Sequence, residues 1–241
     1  RRRKALDGLS LSLPAGIVCG LVGSNGAGKT TALSVIAGVL KWDAGRVALF
    51  GEGPFDAARH SGRLGFLPQD ARMPPHARLE DLLTFYARCQ GLAPAAAAEA
   101  VSRGLAEVNL ADRARSSIRS LSHGMRRRVT VAQALLGDPE FVMLDEPLNG
   151  LDPREVVRVR ELLRARRGKQ TLLVSSHNLH EVERICDEVI FIEQGRRVEH
   201  AAWSGGARPL DITYRLAGEP DLAPLQAALP AARLSWDGPR L

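Results

Sequence analysis

Gly23-Ser24-Asn25-Gly26-Ala27-Gly28-Lys29-Thr30 is the stretch on which the reading of this chain turns. It satisfies the pattern GxxxxGK[ST] and stands between an apolar run of strand length, Ile17 to Val22, and a segment of helical period, Thr31 to Leu40. Glycines let the backbone curl so that successive N–H groups face phosphate oxygens, and the positive N-terminal end of the following helix adds to that pull. Lys29 is placed to reach β- and γ-phosphates, and the Thr30 hydroxyl to ligate Mg²⁺. Gly23, Ser24, Asn25, Gly26, Ala27, Gly28, Lys29, Thr30 and Thr31 are therefore the candidate nucleotide-binding residues, with ATP and Mg²⁺ as ligands. The alternative, a glycine-rich turn that binds nothing, is set aside on the completeness of the pattern and its setting.

Working outward, apolar runs of strand length alternate with longer segments of helical period, which predicts parallel βαβ units and an α/β sheet. After the Trp42-Asp43-Ala44-Gly45 turn, strands are expected at Arg46 to Phe50 and Leu64 to Leu67, then helices from about Leu79 to Gly137 with a flexible Ala-rich stretch at Ala95 to Ala98. Phe141 to Leu144 and Thr171 to Val174 read as strands covered on both faces. Val189 to Glu193 and Arg196 to Glu199 form a hairpin around Gln194-Gly195. Beyond Ala201 the chain turns Pro-, Gly- and Ala-rich, and residues 202–241 are read as an appendage with a strand at Leu210 to Leu216 and a helix at Leu222 to Leu229.

Two carboxylates, Asp145 and Glu146, follow the apolar run that starts at Phe141. At the carboxyl end of a buried strand beside a phosphate loop, Asp145 can hold Mg²⁺, and Glu146 can orient or deprotonate the attacking water. His177 closes the Thr171 strand by way of Ser175 and Ser176. Gly23, Asp145 and His177 thus all fall at the strand ends where open α/β sheets bind ligands. His60, His76, His123, His180 and His200 are left as surface residues.

The 241 residues suffice for one large domain. Against 27 Asp and Glu there are 33 Lys and Arg, a net +6, which suits nucleic acid, an anionic membrane surface, a nucleotide, or simply a solvated arginine-rich surface. We read it as the last and expect no nucleic-acid partner. The run Arg1 to Lys4 fits a fraying terminus as well as an interaction arm. Cys19, Cys89 and Cys186 are odd in number and widely spaced, which argues against a disulfide framework or a zinc site and for a reducing cytosol. No apolar stretch approaches the roughly 18 residues of a membrane span, and no signal-peptide core opens the chain. The first residue is Arg rather than Met, so the true start is expected upstream.

Three further segments complete a set: Phe66-Leu67-Pro68-Gln69, Leu121-Ser122-His123-Gly124-Met125 and Asn149-Gly150-Leu151-Asp152. With these in order, the chain resembles the nucleotide-binding subunit of an ABC transporter from about Ala5 to Ala201. The resemblance implies a P-loop NTPase core with a small antiparallel β portion and an inserted α-helical subdomain at about 79–137, all within an ATPase domain spanning residues 1–201. It makes Gln69 the Q-loop residue that senses metal and water, Glu146 and His177 catalytic, and Asp145 and Thr30 the Mg²⁺ ligands with Gln69. Ser122 and Gly124 become signature residues that bind the γ-phosphate of ATP held by another subunit, and Asp152 a D-loop dimer contact. Two copies, or this chain and a paired ATPase, would then sandwich two nucleotides head to tail.

The resemblance further implies a separate integral membrane permease, gripped by the helical subdomain, and a cytoplasmic location on the inner face of the membrane. His123 and Met125 replace the usual Gly and Gln of the signature, and the Met variant is similar to subunits of drug and polysaccharide exporters. Export is therefore expected, with an assembly-complex ATPase, such as those of iron–sulfur cluster biogenesis, as the alternative. The aromatic residue on which the family stacks adenine is missing ahead of Leu6, in keeping with an incomplete N-terminus.

Overall fold

The computed structural model describes residues 4–198. A six-stranded sheet carries the architecture, with strand order β2-β3-β4-β1-β5-β6. Its members are β1 (Val18–Val22), β2 (Leu64–Leu67), β3 (Phe141–Asp145), β4 (Thr171–Ser176), β5 (Glu188–Glu193) and β6 (Arg196–Val198). The first five run parallel, and β6 pairs antiparallel with β5. Every residue of β1 and β3 is buried. This is the expected outcome for continuous apolar strands in a sheet covered on both faces.

Helices α1 (Lys29–Ile36), α2 (Ala57–His60), α3 (Leu79–Cys89), α4 (Pro94–Glu107), α5 (His123–Leu135), α6 (Pro153–Arg164) and α7 (Leu179–Glu183) complete the regular structure, with two short 3₁₀ turns between α4 and α5. Two cores result. One joins the sheet to α1 through Leu21, Leu33, Met143, Leu173 and Ile190. The other is helical and gathers Leu83, Val101, Leu105, Ile118, Leu121 and Val129 from α3, α4, α5 and their connections. α5 belongs to both layers, because it also lies on β2. A β-carbon on Gly65 would stand 2.0 Å from the Ala134 carbonyl oxygen, so glycine is what allows this helix to rest on the strand backbone.

The structure corrects several expectations, among them His60, which is buried at 1% exposure rather than lying on the surface. The helix after the phosphate loop begins at Lys29, not Thr31, because the loop's own lysine and threonine form its first turn, and it stops at Ile36 rather than Leu40. Gly38 there has φ 73°, and the Val39 and Leu40 amides turn back to the Ser34 carbonyl, as in a glycine-terminated helix. Residues 46–50 form no ladder; the Leu49 amide bonds to Gly53 and the Glu52 amide to Leu49, so the segment folds on itself as a turn. Ala95 to Ala98 are not flexible but sit inside α4, where Pro94 takes the first position and Ala97, Ala100, Val101 and Leu105 form the buried stripe. The N-terminal lead-in, residues 4–17, carries no strand, and antiparallel pairing among the described residues is confined to β5–β6 and one bridge, Arg78 to Ser117. The expected appendage at 202–241, with its strand and helix, lies outside the described residues, as do Arg1, Arg2, Arg3, Glu199 and His200.

Candidate functional site

The site forms where β1, β3 and β4 end side by side. Register places Val22 opposite Ser176 and Asp145 opposite Ser175, and the Gly23 amide donates to the Ser176 carbonyl at 3.3 Å. Residues separated by well over a hundred positions thus leave the sheet on one edge, as the strand reading required.

From β1 the chain enters the glycine-rich loop, which closes a turn from the Ala27 amide to the Ser24 carbonyl and passes through left-handed backbone at Gly26 and Gly28. Lys29, only 6% exposed, extends back across the loop. Its Nζ lies 2.7 Å from the Gly23 carbonyl, 3.3 Å from that of Ser24 and 3.5 Å from Glu146 Oε1. A cleft of about 250 Å³ opens above it, lined by Asn25, Gly26, Gly28, Thr30, Thr31, Gln69 and Glu146. A second hollow of about 240 Å³ adjoins the loop at Lys4, Ala5, Gly26 and Gln194. The β5–β6 turn closes that side, since the Gly195 amide bonds to the Ala27 carbonyl and the Asp7 amide to the Gly195 carbonyl.

The two carboxylates behave differently although they are neighbours. Asp145 is fully buried at the last position of β3; its Oδ1 accepts from the Ser175 hydroxyl, while Oδ2 has no hydrogen-bond partner among the described residues. A buried carboxylate oxygen without a donor is costly, and a hydrated cation is the natural counterpart for it. Thr30 Oγ1, 3.4 Å from Gln69 Oε1, supplies neutral oxygen donors close to the loop. This all-oxygen donor set suits Mg²⁺.

Glu146 turns the other way. Its backbone has φ 52°, in the left-handed region that few residues other than glycine adopt, and its amide donates to Ser175 Oγ at 2.9 Å. The carboxylate is 5% exposed and held between two cations or donors, Lys29 at 3.5 Å and His177 Nδ1 at 2.9 Å from Oε2. His177 keeps about half of its surface open to solvent, so its ring can meet both Glu146 and a ligand in the cleft.

Gly23 through Thr31, Gln69, Asp145, Glu146 and His177 are therefore brought together. Ser122, Gly124 and Asp152 do not line the cleft. Ser122 caps α5 by accepting from the Met125 amide at 3.2 Å, as its residue type suggested, with the helix starting at His123 itself. His123 packs onto the turn after β3: a β-carbon at Gly150 would fall 2.6 Å from its Nε2. Asp152 caps α6 by accepting from the Arg154 and Glu155 amides.

Two residues escaped the sequence reading. Ser175 bridges Asp145 and Glu146, and Arg127 of α5 reaches the carbonyls of both. Burial pushes the Arg127 guanidinium below its ordinary range, while Asp145, Glu146 and Asp70 pull the other way. A hydroxyl just before a strand end was visible as a signal for Ser175; nothing local marked Arg127 among the arginines around it.

A phosphate loop before a helix, a buried aspartate at the next-but-one strand end and a mixed sheet with helices define a P-loop NTPase. Within that class, the chain belongs to the ABC transporter family, whose model matches residues 6–149. Nod factor export ATP-binding protein I of Burkholderia orbicola (strain AU 1054) is 40% identical over 200 residues, covering 82% of this chain and 66% of that protein. The protein of the same name from Ralstonia nicotianae is 42% identical over 199 residues, covering 80% and 61%. The chain thus spans a little under two thirds of the length of these curated relatives. A solved ATP-binding subunit of an ABC transporter superposes with TM-score 0.71 at 27% identity, covering 80% of this chain and 81% of that one. A dimeric ATP-binding cassette in a post-hydrolysis state with ADP and Pi shares the fold, with TM-score 0.73 at 20% identity and coverage of 81% and 89%.

Proposed function

We propose that this chain is the ATP-hydrolysing subunit of an exporter, working through a separate membrane permease. The observation that carries the reading is the convergence on one cleft of a loop lysine, a donor-less buried aspartate and a glutamate paired to a histidine. In this reading the loop amides and Lys29 bind the β- and γ-phosphates, exchanging two carbonyl partners of Lys29 for charged oxygens. Thr30, Gln69 and Asp145 would hold Mg²⁺, which would neutralise charge developing on the transferred phosphoryl group. Glu146, oriented by Ser175 and Arg127, polarises water for in-line attack and takes its proton. His177 steadies Glu146 on one side and the γ-phosphate on the other.

The signature segment supports a head-to-tail pair. Ser122 and Gly124 open α5 with a helix start free to bind an anion, here the γ-phosphate held by a second subunit, while Asp152 meets that subunit nearby. The export direction rests on the names of the relatives. The reading includes a permease as a separate chain and a peripheral position on the inner face of the membrane; among the described residues no helix is long and apolar enough to cross a membrane. α3 exposes Phe85 on the helical layer, a surface suited to such a partner.

The test is Glu146→Gln beside the unaltered chain. Turnover of MgATP should fall by about a hundredfold to ten-thousandfold, the usual worth of a positioned general base. ATP should still bind and should now trap a dimer on gel filtration. Undiminished hydrolysis would remove Glu146 from the mechanism, and a monomer under every nucleotide condition would remove the self-paired dimer.

A further inference from the structure

Arg127 belongs to none of the motif positions used above, yet it joins three of them, Gln69, Asp145 and Glu146. It stands on α5, one turn beyond Ser122 and Gly124, in the helical layer. Its guanidinium leaves that layer for the sheet edge. Nη2 donates to the Asp145 carbonyl at 2.9 Å and to the Glu146 carbonyl, and Nη1 donates to the Gln69 carbonyl at 3.4 Å. One side chain thus spans the exits of β2 and β3, the two segments that carry the candidate metal donors Gln69 and Asp145 and the candidate base.

The backbone of Glu146 gives this contact its importance. With φ at 52°, it occupies a conformation that surrounding structure has to enforce. Ser175 holds the amide of Glu146, and Arg127 holds its carbonyl. Released on the carbonyl side, the residue can relax toward ordinary backbone, which would swing its carboxylate away from Lys29 and His177. A planar guanidinium spreads its N–H donors over a fixed fork, so one side chain can reach carbonyls on two separate segments, whereas an ammonium offers its three donors from a single point.

We propose that Arg127 is a positioning residue for hydrolysis: it fixes Glu146 and the Gln69 segment to α5, so that the geometry of the base depends on the helix whose start carries Ser122 and Gly124. The inference rests on the ATPase reading. It adds a route by which an anion bound at the start of α5 sets the position of Glu146 in the same chain.

The experiment uses the 241-residue chain with Arg127→Met, which keeps length without donors, and Arg127→Lys, which keeps charge without the fork. Steady-state MgATP hydrolysis, equilibrium ATP affinity and Tm are measured on each. Arg127→Met should lower kcat at least tenfold while KM and ATP affinity stay within about twofold, because the phosphate loop is untouched. Arg127→Lys should recover part of that loss. An unchanged kcat with a lowered Tm would make Arg127 structural glue and overturn the proposal. If Arg127→Met does not fold, Arg127→Lys decides, since a folded Lys variant with full kcat overturns it equally. A wild-type chain without MgATPase activity sinks the ATPase reading and this inference together, whereas a wild-type rate shared by both variants sinks this inference alone.

Discussion

The sheet edge and the start of α5, the two regions proposed to bind phosphate, are built in opposite ways. At the sheet edge Lys29, Asp145 and Glu146 are almost fully buried and held by groups from the phosphate loop, β4, the residues after it and α5. At the start of α5, Ser122 lies exposed, and its side-chain bond among the described residues is the local cap to Met125. Burying charge is expensive unless each charge is answered, so the sheet edge must be assembled before ligand arrives. The helix start needs no such preparation, because its orphan N–H groups are solvated until an anion replaces the water. In the proposed reading, one region is a pre-organised half-site and the other an open donor end that a second subunit's phosphate would complete.

The sharpest way to break this contrast is Lys29→Ala. It removes the cation shared by the loop carbonyls and Glu146, leaving a buried carboxylate with His177 as its remaining side-chain partner. Hydrolysis should fall by about a hundred- to a thousandfold, the range seen when a pre-organised electrostatic donor is deleted. ATP affinity measured by equilibrium dialysis should fall with it. If affinity holds while only turnover drops, Lys29 acts on the transition state alone and the loop amides suffice for binding.

The same contrast explains what could be read from the sequence. The phosphate loop was legible because its nine residues act at neighbouring positions, so spacing along the chain is spacing in the site. Asp145, Glu146 and His177 were legible as strand ends, and only a parallel sheet had to be assumed to bring them together. Gln69, Ser122, Gly124 and Asp152 needed the family resemblance to acquire roles. The Ser175–Asp145 bond was hidden in a register across 30 positions, and Arg127 in the reach of one side chain from a helical layer to a sheet. The segment 46–50 misled because Val47, Leu49 and Phe50 have strand character but meet no partner strand. The Ala-rich run misled because small residues suggested slackness, whereas alanine is the strongest helix former and Ala97 packs into the helical core.

A smaller effect separates the two uses of Ser122. Aspartate caps a helix as well as serine does, but its charge would oppose an incoming phosphate. Ser122→Asp should therefore keep the Tm of the parent while hydrolysis falls by roughly ten- to a hundredfold, as expected when a donor is replaced by a like charge at a desolvated anion site. Ser122→Ala makes the complementary case, losing about 1 kcal/mol of stability with the cap. Full hydrolysis by Ser122→Asp would reduce Ser122 to a helix cap and leave the α5 start without a ligand.

The mildest test concerns Asp152, where a cap and a contact to a second subunit compete to explain one residue. Both amide bonds, from Arg154 and Glu155, end on the same oxygen, Oδ1. An asparagine can place its carbonyl oxygen there and cap α6 almost as well, so Asp152→Asn should leave Tm unchanged, whereas Asp152→Ala should cost about 1 kcal/mol. What Asn lacks is the charge on the second oxygen. If that charge meets the other subunit, Asp152→Asn should weaken the ATP-trapped dimer about two- to fivefold, the worth of one exposed ion pair. Adding salt to the parent should mimic the change, since such pairs are screened. A dimer equally tight in Asp152 and Asp152→Asn chains at low salt would confine the residue to its helix.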